Sequence, residues 1–232
     1  MLRTDLHLHT RYSFDCGTDP KRLVARCVRR GLNCVAVTDH NTIRGAIAVR
    51  ELAPFQVIIG EEISTTGGDI IGLFLEQEVP AGLEPMEAAR CVKEQGGLVS
   101  IPHPFDRVRG SAVSAQALAD LLPLADIVEA FNARNILAGS DRQAMALAQA
   151  AGKAPISVSD AHTLGELGRT YVEIMEFDGT ARGFMASLRY GSLVTHRSSA
   201  LVHLATTYYK LRRRFPGRRV QPYEAEKRLP GR

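Results

Sequence analysis

Histidines and carboxylates recur in this sequence at a spacing that suits metal chemistry. His7 and His9 end an apolar segment near the start of the chain. Residues two apart in a strand point to the same side, so these two imidazoles would face one point. Asp160 and His162 repeat the spacing with a carboxylate and an imidazole. The two pairs together indicate a site for a cation that takes nitrogen and oxygen ligands.

Further candidate ligands follow other apolar segments of the chain. Side chains placed after several parallel strands meet, because those strand ends lie on one face of a sheet or barrel. Eight ligands exceed the number that one tetrahedral ion takes, so we expect two or three divalent ions of manganese, zinc or iron. The candidate ligands are His7, His9, Asp15, His40, Glu62, His103, Asp160 and His162.

Each of these residues also has an ordinary structural interpretation. A single histidine at a strand end is commonly a hydrogen-bonded structural residue, the segment Asp15-Cys16-Gly17 alone would be a turn, and Asp160 alone a helix cap. Two short pairs plus two more strand-terminal histidines favour the joint metal interpretation. His196 follows a late strand candidate and is a further residue that could lie near the site.

Short segments rich in valine and isoleucine alternate with segments of helical period, which predicts a mostly parallel α/β fold. An open doubly wound sheet and a closed barrel both fit this pattern. In the first strand we expect Leu6 and Leu8 to face the covering helices. The strand candidates are residues 3–8, 34–38, 56–63, 70–74, 98–102, 127–131, 154–159, 171–175 and 193–196. The helix candidates are residues 20–30, 43–52, 85–95, 115–121, 140–151 and 181–190.

The composition is that of an ordinary globular protein: 232 residues, 45% hydrophobic and 23% charged, with a mean hydropathy of −0.08. No apolar run approaches the roughly 20 residues of a membrane helix, and no signal-peptide pattern opens the chain. The four cysteines form no Cys-x-x-Cys pair and read as reduced. We therefore expect a cytoplasmic protein without a transmembrane segment.

The net charge of +4 is unevenly distributed along the chain. Nine basic and two acidic residues lie from Lys210 to Arg232, so the rest of the chain has 20 basic and 23 acidic residues. The basic C-terminal tail, with three prolines, could not bury a core of its own and reads as flexible. A weak contact between this tail and nucleic acid is one interpretation, and a solvated terminus is the other.

The spaced motifs resemble those of the polymerase and histidinol phosphatase (PHP) family, in order over roughly residues 1–200. This resemblance implies a distorted (β/α)7 barrel, similar to a TIM barrel, with metals at the C-terminal ends of the strands. It gives a single domain over residues 1–206 followed by the tail, residues 207–232. The motifs are Asp5-Leu6-His7-Leu8-His9-Thr10, Val37-Thr38-Asp39-His40-Asn41, Gly60-Glu61-Glu62-Ile63-Ser64, Pro102-His103-Pro104 and Ser159-Asp160-Ala161-His162.

The resemblance also implies how the ligands are shared among ions. One ion would be held by His7, His9, Glu62 and Asp160. A second would be bridged by Glu62 and held by His103, and a third would take Asp15, His40 and His162. This chain departs from the family pattern at two positions, which could be additional ligands or lie beside them: Asp69, where many members have a histidine, and Asn132, where many have another ligand.

Members of this family are mostly metal-dependent phosphoesterases, and some accompany DNA polymerases. We therefore expect hydrolysis of a phosphate mono- or diester by a metal-bridging hydroxide. Glu62, Asp160 and His162 would be catalytic, and neutral His162 could protonate the leaving alkoxide. The substrate would be a small phosphorylated molecule or a short oligonucleotide, its phosphate held by arginines. The candidate arginines are Arg107, Arg109, Arg134 and Arg169.

Two other functions stay open from the sequence. One is a metal-dependent nuclease that acts on oligonucleotides and uses the basic tail to hold the phosphate backbone. The other is a regulatory module that binds metal without catalysis. The substrate and the oligomeric state are not readable from the sequence.

Overall fold

Strands and helices alternate along almost the whole of the described chain. The computed structural model describes residues 1–106, 108, 110–199 and 201–214, and these contain nine strands and seven helices. The strands are β1 Leu2–Asp5, β2 Cys34–Val37, β3 Gln56–Thr65, β4 Gly68–Leu73, β5 Leu98–Ile101, β6 Ile127–Asn132, β7 Ala154–Val158, β8 Tyr171–Ile174 and β9 Ser192–Val194. The helices are α1 Pro20–Arg30, α2 Arg44–Leu52, α3 Pro85–Glu94, α4 Ala115–Leu121, α5 Ala138–Ala151, α6 Ala181–Leu188 and α7 Val202–Arg214.

The nine strands form one nearly closed, barrel-shaped sheet with the order β7-β6-β5-β4-β3-β2-β1-β8-β9. A parallel bridge between Leu8 and Ala161 joins the segments that follow β1 and β7. The two ends of the strand order, β7 and β9, also approach each other. The Ser157 hydroxyl of β7 donates to the carbonyls of Tyr171 in β8 and Val194 in β9. The closed alternative is therefore confirmed over an open doubly wound sheet, as is the distorted barrel that the family resemblance implies.

The prediction of a mostly parallel sheet is wrong. Strand pairs β1–β2, β2–β3, β5–β6 and β6–β7 are parallel, whereas β3–β4, β4–β5, β1–β8 and β8–β9 are antiparallel. Only residues 66 and 67 separate β3 from β4, and a parallel connection needs a dozen residues or more. The short connection forces a hairpin, and the antiparallel strands distort the barrel.

Alternate residues of the strands belong to two separate apolar clusters. In β2, Val35 and Val37 pack in the cluster that includes α1, α2 and α3, whereas Cys34 and Ala36 belong to a second cluster. This second cluster joins inward residues of eight strands to Phe184 of α6. It is the interior of the barrel.

The first strand ends earlier than its apolar pattern suggests. Leu8 packs with the helices, as expected, but Leu6 belongs to the interior cluster, so its predicted orientation is wrong. Regular pairing stops at Asp5, and the strict alternation of faces breaks between Leu6 and Leu8. His7 and His9 consequently lie in the loop that follows β1.

Local sequence signals explain why the ends of helix α1 were predicted correctly. The Asp19 side chain accepts from the Lys21 backbone N–H, Pro20 opens α1, and Gly31 closes it in the left-handed conformation at φ 72°. These are the boundaries that the sequence predicts for this helix.

Helix α7 was not among the helix candidates, and it reaches into the predicted tail. It covers residues 207–214 of that tail, whereas residues 215–232 lie outside the described residues. The division of the chain at residue 206 stays a prediction. Within the described part of the chain, no helix is both long and apolar enough to cross a membrane.

Candidate metal centre

Short extensions of the strands carry the candidate ligands to one end of the barrel. The Leu8 carbonyl accepts from the Thr38 backbone N–H, and the His9 backbone N–H donates to the Ala161 carbonyl. A parallel bridge joins His40 to Glu62 beyond β2. These backbone bonds align Glu62 of β3 with the segments that follow β1, β2 and β7, so their side chains meet.

Four ligand atoms converge at the centre of this end. The Nε2 atoms of His7 and His9 are 3.0 Å apart, and Glu62 Oε2 lies 3.3 Å from the first and 3.4 Å from the second. Asp160 Oδ1 lies 3.6 Å from His7 Nε2 and 3.5 Å from His9 Nε2. All four side chains are buried. These are the residues that the family resemblance assigns to one ion.

Hydrogen bonds behind the two imidazoles fix which ring nitrogen carries the proton. His7 Nδ1 lies 2.6 Å from the carboxylate oxygen Glu129 Oε1, so Nδ1 is the donor. His9 Nδ1 lies 3.0 Å from Ser13 Oγ, whose own proton goes to Asp39 Oδ1 at 2.7 Å. When the two rings are neutral, both Nε2 atoms therefore present lone pairs to the same point as two carboxylate oxygens. Burial alone would lower the pKa of His7, but Glu129, Asp160 and Glu62 raise it well above the ordinary value, so without a metal ion a proton occupies this side of the ring. A divalent cation between the four atoms would take the place of that proton.

A second group of ligands surrounds Asp15. Its Oδ2 atom lies 3.3 Å from His162 Nε2 and 3.5 Å from His40 Nε2. The Nδ1 atom of His162 lies 2.9 Å from the Asp160 backbone carbonyl and donates to it, which leaves the His162 Nε2 lone pair directed at Asp15. His40 Nδ1 lies 3.3 Å from Glu62 Oε2. Glu62 thus contacts both groups.

His103 approaches Glu62 from the opposite side. Its Nε2 atom lies 3.4 Å from Glu62 Oε1, and its backbone N–H donates to Glu129 Oε2 at 2.9 Å. Among the described residues, His103 Nδ1 and Asp15 Oδ1 are buried and have no hydrogen-bond partner. Buried polar atoms normally have hydrogen-bond partners. These two atoms have none and belong to the same cluster of imidazole and carboxylate groups, which fits a site for divalent ions.

The buried charges shift one another's ionisation. Burial alone would raise the pKa of Glu62, but His40 and His7 hold it well below the ordinary value. Burial, with a smaller effect from the neighbouring His162, lowers the pKa of His9 to about 3, so this imidazole is neutral and able to act as a ligand. Burial lowers the pKa of His40, but Glu62 and Asp15 outweigh it and raise that pKa to about 9. Protons on histidines thus offset carboxylate charge in a site that divalent ions would neutralise more fully.

Two of the candidate ligands have strained backbone. His103 has a φ of 28° and Asp160 a φ of 52°, in the region that favours glycine. Such conformations cost on the order of 1–3 kcal/mol and are typical of functional sites.

The two departures from the family pattern lie beside this cluster. Asp69 has a carboxylate oxygen within 4.8 Å of ligand atoms of His40 and Glu62, and burial together with Glu62 raises its pKa. Asn132 directs its Nδ2 group at Glu129 Oε2 and Asp160 Oδ2, at 3.0 and 3.1 Å. In this orientation Asn132 positions two carboxylates. A ligand role for either residue stays a prediction.

The remaining candidate residues are placed differently from the cluster. His196 is exposed, and its Nε2 atom lies 3.2 Å from Arg169, which is also exposed. Arg134 is buried, with Nε 3.6 Å from Glu166 and Nη2 2.6 Å from Thr206 Oγ1. Its phosphate-binding role would require these contacts to be exchanged and stays a prediction. Two of the predicted arginines, Arg107 and Arg109, lie outside the described residues.

Several residues that shape the site were not predicted. Glu129 supports both His7 and His103, and Glu166 accepts from the backbone N–H groups of His162 and Thr163. The signal for Glu129 was a single carboxylate within an apolar strand, because such a buried acid needs partners. Glu166 has no comparable signal in the sequence.

Comparisons with known proteins agree with this arrangement. The family profile for the PHP domain matches residues 5–120, half of the chain, and the profile described as PHP-associated matches residues 138–193. The chain belongs to the PHP family. The resemblance drawn from the sequence motifs is therefore confirmed, and the family implies divalent metal ions.

Proteins similar to this chain differ in how much of its sequence or fold they share. An uncharacterized protein of Methanocaldococcus jannaschii is 40% identical over 147 residues, which cover 57% of this chain and 82% of the relative. A 5'-3' exoribonuclease of Haemophilus influenzae is 31% identical over 132 residues, 50% of this chain and 45% of that protein. A crystal structure from Bacteroides vulgatus, a two-domain protein containing a "predicted PHP-like metal-dependent phosphoesterase", shares the fold with a TM-score of 0.70 at 20% identity. The match covers 84% of this chain and 65% of that one.

Proposed function

We propose that this protein is a metal-dependent phosphoesterase that hydrolyses a phosphate mono- or diester. The observation that supports this most directly is the convergence of the Nε2 atoms of His7 and His9 with carboxylate oxygens of Glu62 and Asp160. Membership of the PHP family agrees with it.

The residues of the cluster divide naturally between positions for two or three ions. His7, His9, Glu62 and Asp160 would hold the first. Glu62 and His103 would hold a second, and a third would lie among Asp15, His40 and His162. Bound divalent ions supply an acidified water and neutralise charge on phosphate oxygens.

The side chains of the protein itself orient these groups. Glu129 and Ser13 hold the rings of His7 and His9 in one tautomer, which keeps both Nε2 atoms available. The Asp160 carbonyl does the same for His162, so the proton-accepting nitrogen of His162 faces the centre. We infer that His162 acts either as a ligand or as the group that returns a proton to the leaving alkoxide. The pH–rate profile of a His162→Asn variant distinguishes the two, because only the second role removes a titrating limb.

Adjacent glutamates offer a matched test of the activity. Glu62 faces the cluster, whereas Glu61 faces away and accepts from the Val79 backbone N–H at 2.8 Å. Hydrolysis of p-nitrophenyl phosphate and bis-p-nitrophenyl phosphate should be measured with Mn²⁺. We expect Glu62→Gln and His7→Ala to lose at least a hundredfold in kcat/KM, with Glu61→Gln close to wild type.

Activity that survives in both His7→Ala and Asp160→Ala would contradict the proposal. A metal-loaded protein that is inert toward every phosphoester in a broad panel would instead support a binding module without catalysis.

A nuclease is the second candidate function, and the exoribonuclease relative favours it. Residues 215–232 contain five basic and two acidic residues, which would strengthen contact with a phosphate backbone. If oligonucleotides are the substrate, their turnover should fall steeply with salt and should weaken when the chain ends at residue 214. Turnover of p-nitrophenyl phosphate should be nearly unaffected by the same truncation.

A further inference from the structure

Helix α7 is attached to the end of the barrel that carries the candidate metal centre. On one side Arg134, which follows β6, donates to Thr206 Oγ1 at 2.6 Å and to the Val202 carbonyl at 3.4 Å. On the other side the ring of Tyr209 packs against Gly17, where an added Cβ would lie only 2.2 Å from a ring atom. The helix therefore contacts the segments that follow β6 and β1, and the segment after β1 also carries His7, His9 and Asp15.

One cation of α7 reaches a candidate ligand. Lys210 Nζ lies 3.6 Å from Asp15 Oδ2 and 5.6 Å from the centre of the Phe14 ring. Phe14 is itself half-exposed and stacks on His40, with ring centres 4.7 Å apart. The Lys210 side chain is 52% exposed, so its ammonium lies at the boundary between the centre and solvent.

This position suits an anion that binds beside the metal ions. The Asp15 carboxylate already contacts His162 and His40, and ions held by these residues would neutralise it without Lys210. An ammonium has three donors and no acceptor, so it would then turn to an oxygen of a bound phosphate. Arg134, by contrast, is occupied by Glu166 and α7.

We propose that Lys210 binds a non-bridging oxygen of the substrate phosphate, which makes α7 part of the substrate site. The inference rests on the proposed phosphoesterase function and deepens it, because it names a residue that recognises the phosphate. It also gives a role to a segment that the sequence pattern assigned to a basic tail.

The test measures binding of inorganic phosphate to the Mn²⁺-loaded full-length protein by calorimetry, together with KM for p-nitrophenyl phosphate. Lys210→Met keeps the apolar stem and removes the charge, and Lys210→Arg keeps the charge. Arg212→Met is the matched control, since Arg212 is exposed and lies on another face of the helix. It follows Lys210 by two residues, a rotation of about 200° around the helix axis. We expect Lys210→Met to weaken phosphate binding and raise KM by about 10- to 150-fold, the range for a hydrogen bond to a charged group. Lys210→Arg and Arg212→Met should stay within about threefold of wild type.

Three outcomes would overturn the inference. One is a Lys210→Met variant with wild-type phosphate affinity and KM, and a second is wild-type protein that does not bind phosphate at all. The third is a variant that gains an extra ion per chain while its phosphate affinity is unchanged, because Lys210 would then merely occupy a cation position. In the first and third cases, hydrolysis of p-nitrophenyl phosphate by wild-type protein would show that the phosphoesterase proposal holds although the inference about Lys210 fails. If no phosphoester is turned over, the calorimetric comparison still decides whether Lys210 binds phosphate.

Discussion

Replacing Glu129 by glutamine would test how the first ion position is organised. Glu129 Oε1 accepts from His7 Nδ1 at 2.6 Å, and its Oε2 accepts from the His103 backbone N–H and the Asn132 amide. A glutamine has one oxygen and one NH2 group for these partners. If its NH2 group faces the His103 backbone N–H and the Asn132 amide, hydrogen-bond donors face each other and no acceptor is left for them. If it faces His7, it forces the His7 proton onto Nε2, into the position of the ion.

The expected magnitude follows from the contact that is lost in either orientation. Glutamine at position 129 gives up one hydrogen bond to a charged group in a buried setting, about 1.5–3 kcal/mol, which corresponds to roughly 10- to 150-fold in affinity. Loss of partners that orient metal-binding histidines typically weakens metal binding by about 10- to 100-fold. We therefore expect Glu129→Gln to bind its tightest ion about 10- to 100-fold more weakly.

The assay is competition for Zn²⁺ between the protein and a chromophoric chelator. Glu61→Gln is the control, because Glu61 is equally buried but faces Val79. We expect Glu61→Gln to bind Zn²⁺ as wild type does. If Glu129→Gln also matches wild type while the protein stays folded, then Glu129 does not position His7 and the tautomer argument is refuted.

Three further predictions concern stability and reactivity. Removal of divalent ions by EDTA should lower Tm by about 8–16 °C, since an ion present at a concentration a thousand times its Kd stabilises the folded protein by about 4 kcal/mol. An unchanged Tm in a thermal scan would argue against bound ions. Arg134→Met should reduce the free energy of unfolding by roughly 3 kcal/mol, because it removes the cation beside the buried Glu166 carboxylate, whose remaining partners are hydrogen-bond donors of His162 and Thr163. A loss below 0.5 kcal/mol in urea would contradict this. Burial raises the pKa of both Cys27 and Cys34 to about 12, so at pH 8 alkylation followed by mass spectrometry should modify the half-buried Cys91 first. Because the folded pKa of these two thiols lies above the unfolded value near 9, their contribution to stability is full below pH 9. It is lost as the pH rises toward 12.

The elements were predicted well wherever local signals set their limits. Helix α1 has an aspartate cap, an opening proline and a closing glycine within its own sequence, and its ends were predicted correctly. The apolar segments gave all nine strands within a few residues. Strand direction was predicted less well, because the hairpin between β3 and β4 depends on a two-residue connection rather than on strand composition.

The parts that were missed depend on contacts between distant residues. Glu129 reaches His7 across 122 positions of sequence, and no local pattern reports such a partner. Helix α7 is rich in basic residues, and its contacts with Arg134 and Gly17 are tertiary. Lys210 could therefore be counted in the sequence as part of a charged tail, but it could not be located beside Asp15.

The most direct test of the metal centre is anomalous diffraction from crystals of the full-length protein grown with Zn²⁺ or Mn²⁺. We expect a strong peak bounded by His7 Nε2, His9 Nε2 and carboxylate oxygens of Glu62 and Asp160. Weaker peaks are expected beside Asp15 or His103. Crystals that show bound ions elsewhere, with these four side chains bonded to one another and no peak between them, would contradict it.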